Sequence, residues 1–258
     1  MTTRAPALPT VIGHRGAAAY APENTLASFR RAKALGCRWV EFDVRLSGDG
    51  MPMVCHDSRL DRTTDGSGVI AAMPLAAIRN CDAGAWFDPG FAGEKVPILD
   101  EVLILAAELG LSTNIEIKSD RGREYATAAA VARTLTRHRP VGILVSSFQR
   151  AAVTAIRDLA PHIPRGVLFR LVPRNWAAIA QRLGCIAIGA DYRYLRARRI
   201  AAIRAAGYDL LSYTVNSPAR ARLLLGWGVT SVFSDAPDII IKTSAGHGAV
   251  MARQGTLR

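Results

Sequence analysis

The sequence has little lysine, few aromatic residues and no long uncharged hydrophobic run. Lysine accounts for 4 of its 33 basic residues, and 7% of its 258 residues are aromatic. No uncharged stretch reaches the roughly 18 residues that a membrane-spanning helix needs. Residues 1–10 lack the apolar run of about 7–15 residues typical of an export signal. We therefore expect a chain that is not exported and has no stable membrane anchor.

Cysteine is also scarce, and its spacing excludes a dense disulfide framework. The four cysteines, Cys37, Cys55, Cys81 and Cys185, lie far apart and form no CxxC pair. Half of the residues are hydrophobic, which is enough for a chain of this length to fold without a disulfide or a structural metal. Reduced thiols and a cytoplasmic location are the simplest interpretation.

The charge is strongly basic, at +12, which raises the non-enzymatic hypothesis of a basic barrel that binds nucleic acid. The arginines, however, are spread over nearly every segment instead of forming one stripe. The densest group opens a predicted helix, where we expect a solvated face; it comprises Arg193, Arg196, Arg198, Arg199 and Arg204. We therefore expect no nucleic-acid partner. The sequence gives no indication of an oligomeric state.

Short apolar runs alternate with helical patterns along the whole chain, which predicts repeated βα units. The eight predicted strands are Thr10–His14, Arg38–Arg45, Ser112–Lys118, Gly142–Phe148, Arg165–Phe169, Cys185–Ala190, Asp209–Val215 and Thr230–Ser234. Eight such units favour a closed (β/α)8 TIM barrel over an open sheet, and the chain has no GxGxxG motif. We expect one domain over residues 1–243 and a mobile tail over 244–258.

An insertion after the second strand interrupts the repeat, over about residues 57–98. An extra strand at Met51–Cys55 precedes it, and a short helical pattern covers Leu75–Asn80. Its apolar residues could line an acyl groove or form a small core of their own; they are Val69, Ile70, Met73, Trp86, Phe87 and Phe91. A loop of this length is typical of a functional element on the top face of the barrel.

Carboxylates gather at the predicted strand ends, where barrel enzymes place their catalytic groups. Glu41 and Asp43 are two residues apart and therefore share a face, and Glu116 occupies the matching place on the next strand. Three such groups in an apolar mouth repel one another, and a divalent cation would resolve the conflict. Oxygen-only ligation favours Mg²⁺ or Ca²⁺. The alternative is ion pairing with Arg45 or other barrel arginines.

Two histidines and two cations lie beside these carboxylates in the predicted mouth. His14 ends the first strand and His56 follows the extra strand, so both are candidates for general base and acid. Arg15 and Lys118 could bind the oxygens of a phosphate, or they could simply be solvated. Asn24 is predicted to cap the first helix.

Several motifs, in this order, resemble those of the glycerophosphodiester phosphodiesterase family. They are HRG at 14–16, APENT at 21–25, EFD at 41–43, HD at 56–57, DRTTDGSG at 61–68, EIK at 116–118, TVN at 214–216 and SDAP at 234–237. The resemblance spans about residues 11–240. Tyr213 departs from it, because many members have Trp before TVN, and this leaves open which surface faces the glycerol or the leaving group.

The resemblance implies hydrolysis of small glycerophosphodiesters, such as glycerophosphocholine or glycerophosphoethanolamine, to sn-glycerol 3-phosphate and an alcohol. It implies an acid-base role for His14 and His56, and phosphate contacts from Arg15 and Lys118. The ligands of the Mg²⁺ or Ca²⁺ ion would be Glu41, Asp43 and Glu116. The nucleophile is either water or the 2-hydroxyl of the substrate. A lysophospholipase D or phospholipase C-like reaction is the alternative activity.

Overall fold

A computed structural model describes residues 7–138 and 141–242, and the strands in it form a single sheet. The strands are β1 (Val11–His14), β2 (Trp39–Leu46), β3 (Pro52–Val54), β4 (Ser112–Ile117), β5 (Ile143–Ser147), β6 (Arg165–Phe169), β7 (Ala187–Asp191), β8 (Asp209–Tyr213) and β9 (Ser231–Ser234). Eight of them are parallel and close into a barrel in the order β1-β2-β4-β5-β6-β7-β8-β9, with β9 pairing back to β1. β3 is antiparallel and lies along the end of β2.

Helices follow the strands and cover the outside of the barrel, except for the short helix Leu75–Asn80, which packs within the segment after β3. They are α1 (Leu26–Ala34), α2 (Leu75–Asn80), α3 (Leu99–Leu109), α4 (Glu124–Arg137), α5 (Arg150–Leu159), α6 (Trp176–Leu183), α7 (Ala197–Ala205) and α8 (Pro218–Gly226), and residues 237–242 are also helical. The predicted (β/α)8 TIM barrel is confirmed. The end of α3 shows why glycine marks the turns: Gly110 has φ +62, a left-handed conformation that costs glycine little.

Side chains alternate across each strand, and this alternation divides the core into layers. One set points outward and packs against the helices in two large clusters. The other set fills the inside of the barrel with an apolar floor, formed by Ile12, Trp39, Leu144, Ala187, Leu211 and Phe233. Two residues further along β1 and β2 stand His14 and Glu41, so the polar mouth lies directly above an apolar layer.

The segment between β3 and α3 has a hydrophobic core of its own. Its fully buried members include Met53, Leu60, Ile70 and Ile78, and Met73 packs against them.

No helix within the described ranges is long and apolar enough to cross a membrane. The tail predicted to be mobile, residues 244–258, lies outside the described residues.

Candidate active site

Three carboxylates converge at the mouth of the barrel, on two neighbouring strands. Glu41 and Asp43 lie on β2 and Glu116 lies on β4, where the sheet register places it opposite Asp43. Each of the three side chains offers one oxygen, and these oxygens all lie within 4.8 Å of one another. All three residues are buried, and Glu41 Oε1 has no hydrogen-bond partner. A cluster of hard oxygen donors with one unsatisfied atom fits a divalent cation such as Mg²⁺ or Ca²⁺.

The protonation of this cluster shows how unfavourable three adjacent buried charges are. Burial, together with the nearby Asp43 carboxylate, raises the pKa of Glu116 to about 7. Burial and the same neighbour raise the pKa of Glu41 well above its ordinary value. The pKa of Asp43 is lowered, because Lys118 and Arg15 outweigh the effect of its burial. One stable charge therefore stands beside two carboxyl groups that hold protons readily unless a cation is present.

Two cationic side chains contact the carboxylates directly. Lys118 Nζ lies 2.5 Å from Glu116 Oε1 and 3.5 Å from Asp43 Oδ1. Arg15 Nε lies 3.3 Å from Asp43 Oδ2, and the Arg15 backbone amide donates to Glu41 Oε2 over 3.1 Å. Although burial opposes it, the pKa of Lys118 is raised by Glu116 and Asp43. The mouth therefore carries two fixed positive charges.

Arg45, the alternative partner considered for the carboxylates, contacts other groups. Its Nε donates to the His56 carbonyl over 2.8 Å, and its Nη1 lies 3.4 Å from Asp120 Oδ1. The ion pairs of the cluster come from Arg15 and Lys118 instead. The sequence alone could not separate these arginines, because all of them stand near strand ends.

Each predicted catalytic histidine is held by an aspartate. His14 Nδ1 lies 2.6 Å from Asp235 Oδ1, and His56 Nδ1 lies 2.6 Å from Asp57 Oδ1. An ionised carboxylate can only accept, so each Nδ1 carries the proton and each Nε2 is left for other chemistry. His14 Nε2 lies 3.8 Å from Glu41 Oε2, at the edge of the carboxylate cluster. Burial lowers the pKa of His56, an effect that outweighs the attraction of Asp43.

Arg62, which lies in the insertion, joins the two sides of the mouth. Its guanidinium donates to Glu23 over 2.7 and 2.8 Å and to Asp57 over 2.7 and 3.2 Å. Glu23 in turn accepts from Arg15 Nη1 over 2.7 Å. The Arg62 hydrogen bond is the main reason why the pKa of Asp57 lies well below its usual range. A continuous chain of charged contacts thus runs from His56 to Arg15.

The prediction that Asn24 caps α1 is wrong. Thr25 is the N-cap residue, and its Oγ1 accepts from the Ser28 amide over 3.3 Å. Asn24 has φ +61, a conformation that asparagine tolerates better than most residues. Its side chain turns to the site instead, where Nδ2 donates to Asp43 Oδ2 over 3.0 Å and Oδ1 accepts from the Asp43 amide over 3.3 Å.

Besides Glu23 and Asn24, four further residues of this arrangement were not singled out as site residues from the sequence. Asp235 and Asp57 hold the histidines, Arg62 links the insertion to the barrel, and Asn216 Nδ2 donates to Asp235 Oδ2 over 2.7 Å. A signal was present, because all four stand inside the motifs HD, DRTTDGSG, TVN and SDAP. Their contact partners could be identified only from the fold, because 221 positions separate His14 from Asp235, for example.

Tyr213 stands between the site and the far side of the barrel. Its hydroxyl donates to the Phe169 carbonyl over 2.6 Å, and its ring stacks on Phe233 at 6.4 Å. Phe148 packs edge-on against it at 5.7 Å and lies 5.6 Å from Lys118 Nζ. Phe148 and Tyr213 therefore form an aromatic wall next to Lys118, at the position where the resemblance leads us to expect Trp.

Comparison with known proteins agrees with this geometry. The sequence profile of the Glycerophosphoryl diester phosphodiesterase family matches residues 14–239. A glycerophosphodiester phosphodiesterase from Bacillus subtilis (strain 168) is 34% identical over 256 residues, with 92% of this chain and 86% of the relative covered.

Two solved structures share the architecture over nearly their whole length. A phosphodiesterase from Oleispira antarctica, in complex with the product sn-glycerol-3-phosphate, is 38% identical with a TM-score of 0.91, covering 92% of this chain and 97% of that one. The glycerophosphodiester phosphodiesterase from Agrobacterium tumefaciens str. C58 is 30% identical with a TM-score of 0.78, covering 90% and 99%. This chain therefore belongs to the glycerophosphoryl diester phosphodiesterase family, and it is an enzyme with the activity of that family.

Proposed function

We propose that the enzyme hydrolyses small glycerophosphodiesters, such as glycerophosphocholine or glycerophosphoethanolamine, in a metal-dependent reaction that uses His14 and His56 as general acid and base. The products would be sn-glycerol 3-phosphate and an alcohol. The observation that carries this proposal is the convergence of three buried carboxylate oxygens within 4.8 Å, flanked by two histidines that each contact an aspartate.

Glu41, Asp43 and Glu116 would hold one Mg²⁺ or Ca²⁺ ion. Bound there, a divalent cation supplies Lewis-acid polarisation of a phosphate oxygen and orients the substrate. Its charge would also satisfy the carboxylates that now pair with Arg15 and Lys118. Those two side chains would then be available to the phosphate oxygens, Arg15 through its planar fork and Lys118 as a point charge.

The two histidines would divide the proton transfers. With Nδ1 fixed by Asp235 or Asp57, each ring presents Nε2 to the substrate. One neutral ring removes the proton of the nucleophile through Nε2, and the other, carrying a second proton as the imidazolium, donates its Nε2 proton to the departing alkoxide. The nucleophile is either water, or the glycerol 2-hydroxyl with a cyclic phosphate that water then opens. Detection of a cyclic phosphate in a quenched reaction distinguishes the two routes.

A substrate panel tests this proposal. Purified enzyme is incubated with glycerophosphocholine, glycerophosphoethanolamine and a lysophospholipid that carries the same head group, with and without chelator. Release of the head-group product, the free alcohol or its phosphate, is measured for every substrate, together with glycerol 3-phosphate for the soluble diesters. We expect metal-dependent turnover with a higher kcat/KM for the soluble diesters. Full turnover in excess chelator, by a protein that metal analysis shows to be empty, contradicts the metal dependence.

The same panel tests the lysophospholipase D or phospholipase C-like alternative. Ile70 and Met73 belong to the core of the insertion, so they are not free to line an acyl groove. Trp86, 41% exposed, packs on Phe87, which packs on Phe91. If a lipid groove existed, each buried methylene would add about 0.8 kcal/mol. A preference of more than about tenfold for the lysophospholipid would overturn the soluble assignment and point to these aromatics.

We also propose a cytoplasmic location. All four cysteines are free and buried, which is compatible with a reducing compartment.

A further inference from the structure

An open groove of about 540 Å³ lies on the catalytic face of the barrel, outside the active site. The loops that follow β6 and β7 and the first turns of α7 form its walls. Its lining residues are Leu171, Val172, Tyr194, Arg196, Arg198, Arg199 and Ala202. In the barrel order, β6 and β7 lie opposite β1 and β2. The groove therefore opens on the same face as the carboxylate cluster but on the opposite rim.

Arginines without a carboxylate partner concentrate at this rim. Two neighbouring arginines are neutralised, Arg193 by Asp191 and Arg204 by Asp209. In the described part of the chain, five arginines that line the groove or lie in the loop beside it form no ion pair; they are Arg170, Arg174, Arg196, Arg198 and Arg199. Unpaired positive charge in such density attracts an anionic partner.

Apolar side chains are also exposed at this rim. A charged face that is simply solvated would not explain why apolar residues lie exposed there. Leu171 is 65% exposed and Tyr194 is 42% exposed. Leu171 follows β6 and Tyr194 follows β7, so both lie at the catalytic end of the barrel. The Arg170 guanidinium lies 5.8 Å from the Tyr194 ring centroid. Exposed aliphatic and aromatic residues among arginines are the composition of a protein surface that rests on a lipid interface.

We propose that this rim, formed by residues 170–174 and 194–199, attaches the enzyme reversibly to an anionic lipid bilayer. The arginines would contact lipid phosphates, and Leu171 and Tyr194 would enter the boundary between head groups and acyl chains. The phosphates of a nucleic acid could pair with the arginines, but a nucleic acid would leave the exposed Leu171 in water. A lipid surface binds both the arginines and Leu171, so we favour it over a nucleic acid. The attachment needs no membrane-spanning anchor and does not depend on which alcohol leaves.

Vesicle co-sedimentation tests the proposal directly. We expect the protein to sediment with vesicles of phosphatidylglycerol and phosphatidylcholine but not with pure phosphatidylcholine, and to dissociate as salt is raised. One arginine near an anionic leaflet contributes about fivefold to binding. The variant R170Q/R198Q/R199Q should therefore bind about 100-fold more weakly, and L171S about tenfold more weakly.

A matched control separates this rim from the general basic charge. Arg30, Arg133 and Arg182 are exposed on α1, α4 and α6 and form no ion pair in the described part of the chain. The variant R30Q/R133Q/R182Q loses the same charge, and we expect it to bind within about threefold of the parent. Equal losses in the two triple variants would overturn the proposal. So would salt-sensitive binding to duplex DNA that the rim variant abolishes, in the absence of any binding to vesicles.

Discussion

The two halves of the barrel mouth are built on the same parallel sheet but carry different side chains. At the ends of β1, β2, β4 and β9, ionisable groups face one another; they are His14, Glu41, Asp43, Glu116 and Asp235. At the ends of β5, β6, β7 and β8 stand Ser147, Phe169, Asp191 and Tyr213. Asp191 is the one carboxylate among these four residues, and its partner is the exposed Arg193.

The two halves of the mouth differ in how much buried charge they hold. Burial of several charges in one place is costly, since each must be paired or must change its protonation. The first half bears this cost at Glu41 and Glu116, whose pKa values are raised. The second half has aromatic rings where the first has charges, and Phe148, which follows β5, packs against Tyr213 on β8. The cost of burying charge therefore falls on the half that carries the proposed reaction.

Removal of the metal should give the largest effect, because it acts only on the charged half. We expect chelation to bring turnover to background and added Mg²⁺ or Ca²⁺ to restore it. Glu116→Gln should weaken metal affinity by at least about 100-fold, since it removes a charged ligand and keeps the shape. Calorimetric titration measures the affinity. Asp191→Asn is the matched change in the other half. An equal loss of metal affinity in that variant would contradict the difference between the two halves.

Removal of either histidine should have the next largest effect. His14→Ala and His56→Ala should each lower kcat by roughly 10²–10⁴-fold, if the rings act as general acid and base. Metal affinity should remain largely intact in both. His138→Ala is the control, because His138 contacts Asp100 on the outside of the barrel, at 2.7 Å. Turnover near that of the parent after a change at His14 or His56 would assign that ring to structure.

Loss of the residues that position the histidines should have a smaller effect. We expect Asp235→Asn to lower kcat by roughly 10–10³-fold, because the carboxylate no longer fixes the proton on His14 Nδ1. Arg62→Ala should lower kcat by about tenfold, since Asp57 and Glu23 lose their shared partner. The pH profile of kcat should shift in both variants, and Arg62→Lys should recover part of the activity. A change in stability with an unchanged pH profile would indicate a purely structural role.

The mildest effect should appear in the pH dependence of metal binding. In the absence of metal, Glu116 takes up a proton as the pH falls below about 7, and binding must release it. Mg²⁺ affinity should therefore fall at least about tenfold per pH unit below pH 7, since Glu116 releases one proton and the raised pKa of Glu41 adds to the effect. The stability of the metal-free protein depends on pH in the opposite direction to its metal affinity. The raised pKa of Glu116 stabilises the metal-free fold at low pH, and this contribution is lost as the pH rises from 4.5 to about 7. Thermal unfolding with and without metal across this range measures both.

The sequence predicts the fold well because the signals for it are local. Short apolar runs between helical patterns predict the barrel strands, and α2 has the bounds Leu75–Asn80 that its helical pattern indicates. The convergence of Glu41, Asp43 and Glu116 follows from the period of two and from the rule that parallel strands end together. These features need no knowledge of distant contacts.

The parts of the site that escape prediction depend on contacts between distant segments. Asp235 reaches His14 only because β9 closes the ring beside β1. Arg62 reaches Glu23 only because the insertion folds back over the first loop. Asn24 and Thr25 are both good N-cap residues, so local preference could not decide between them. The neighbouring Asp43, which binds the Asn24 side chain, decides it.

The separate core of the insertion has a consequence for how the enzyme loses activity. His56, Asp57 and Arg62 belong to a segment whose buried residues pack mainly on one another, whereas the three carboxylates proposed to bind metal belong to the barrel strands. Small cooperative units of this kind open at a lower free energy than the whole molecule. Denaturant should therefore abolish turnover before it unfolds the sheet, and a protein in that intermediate condition would still bind its metal ion.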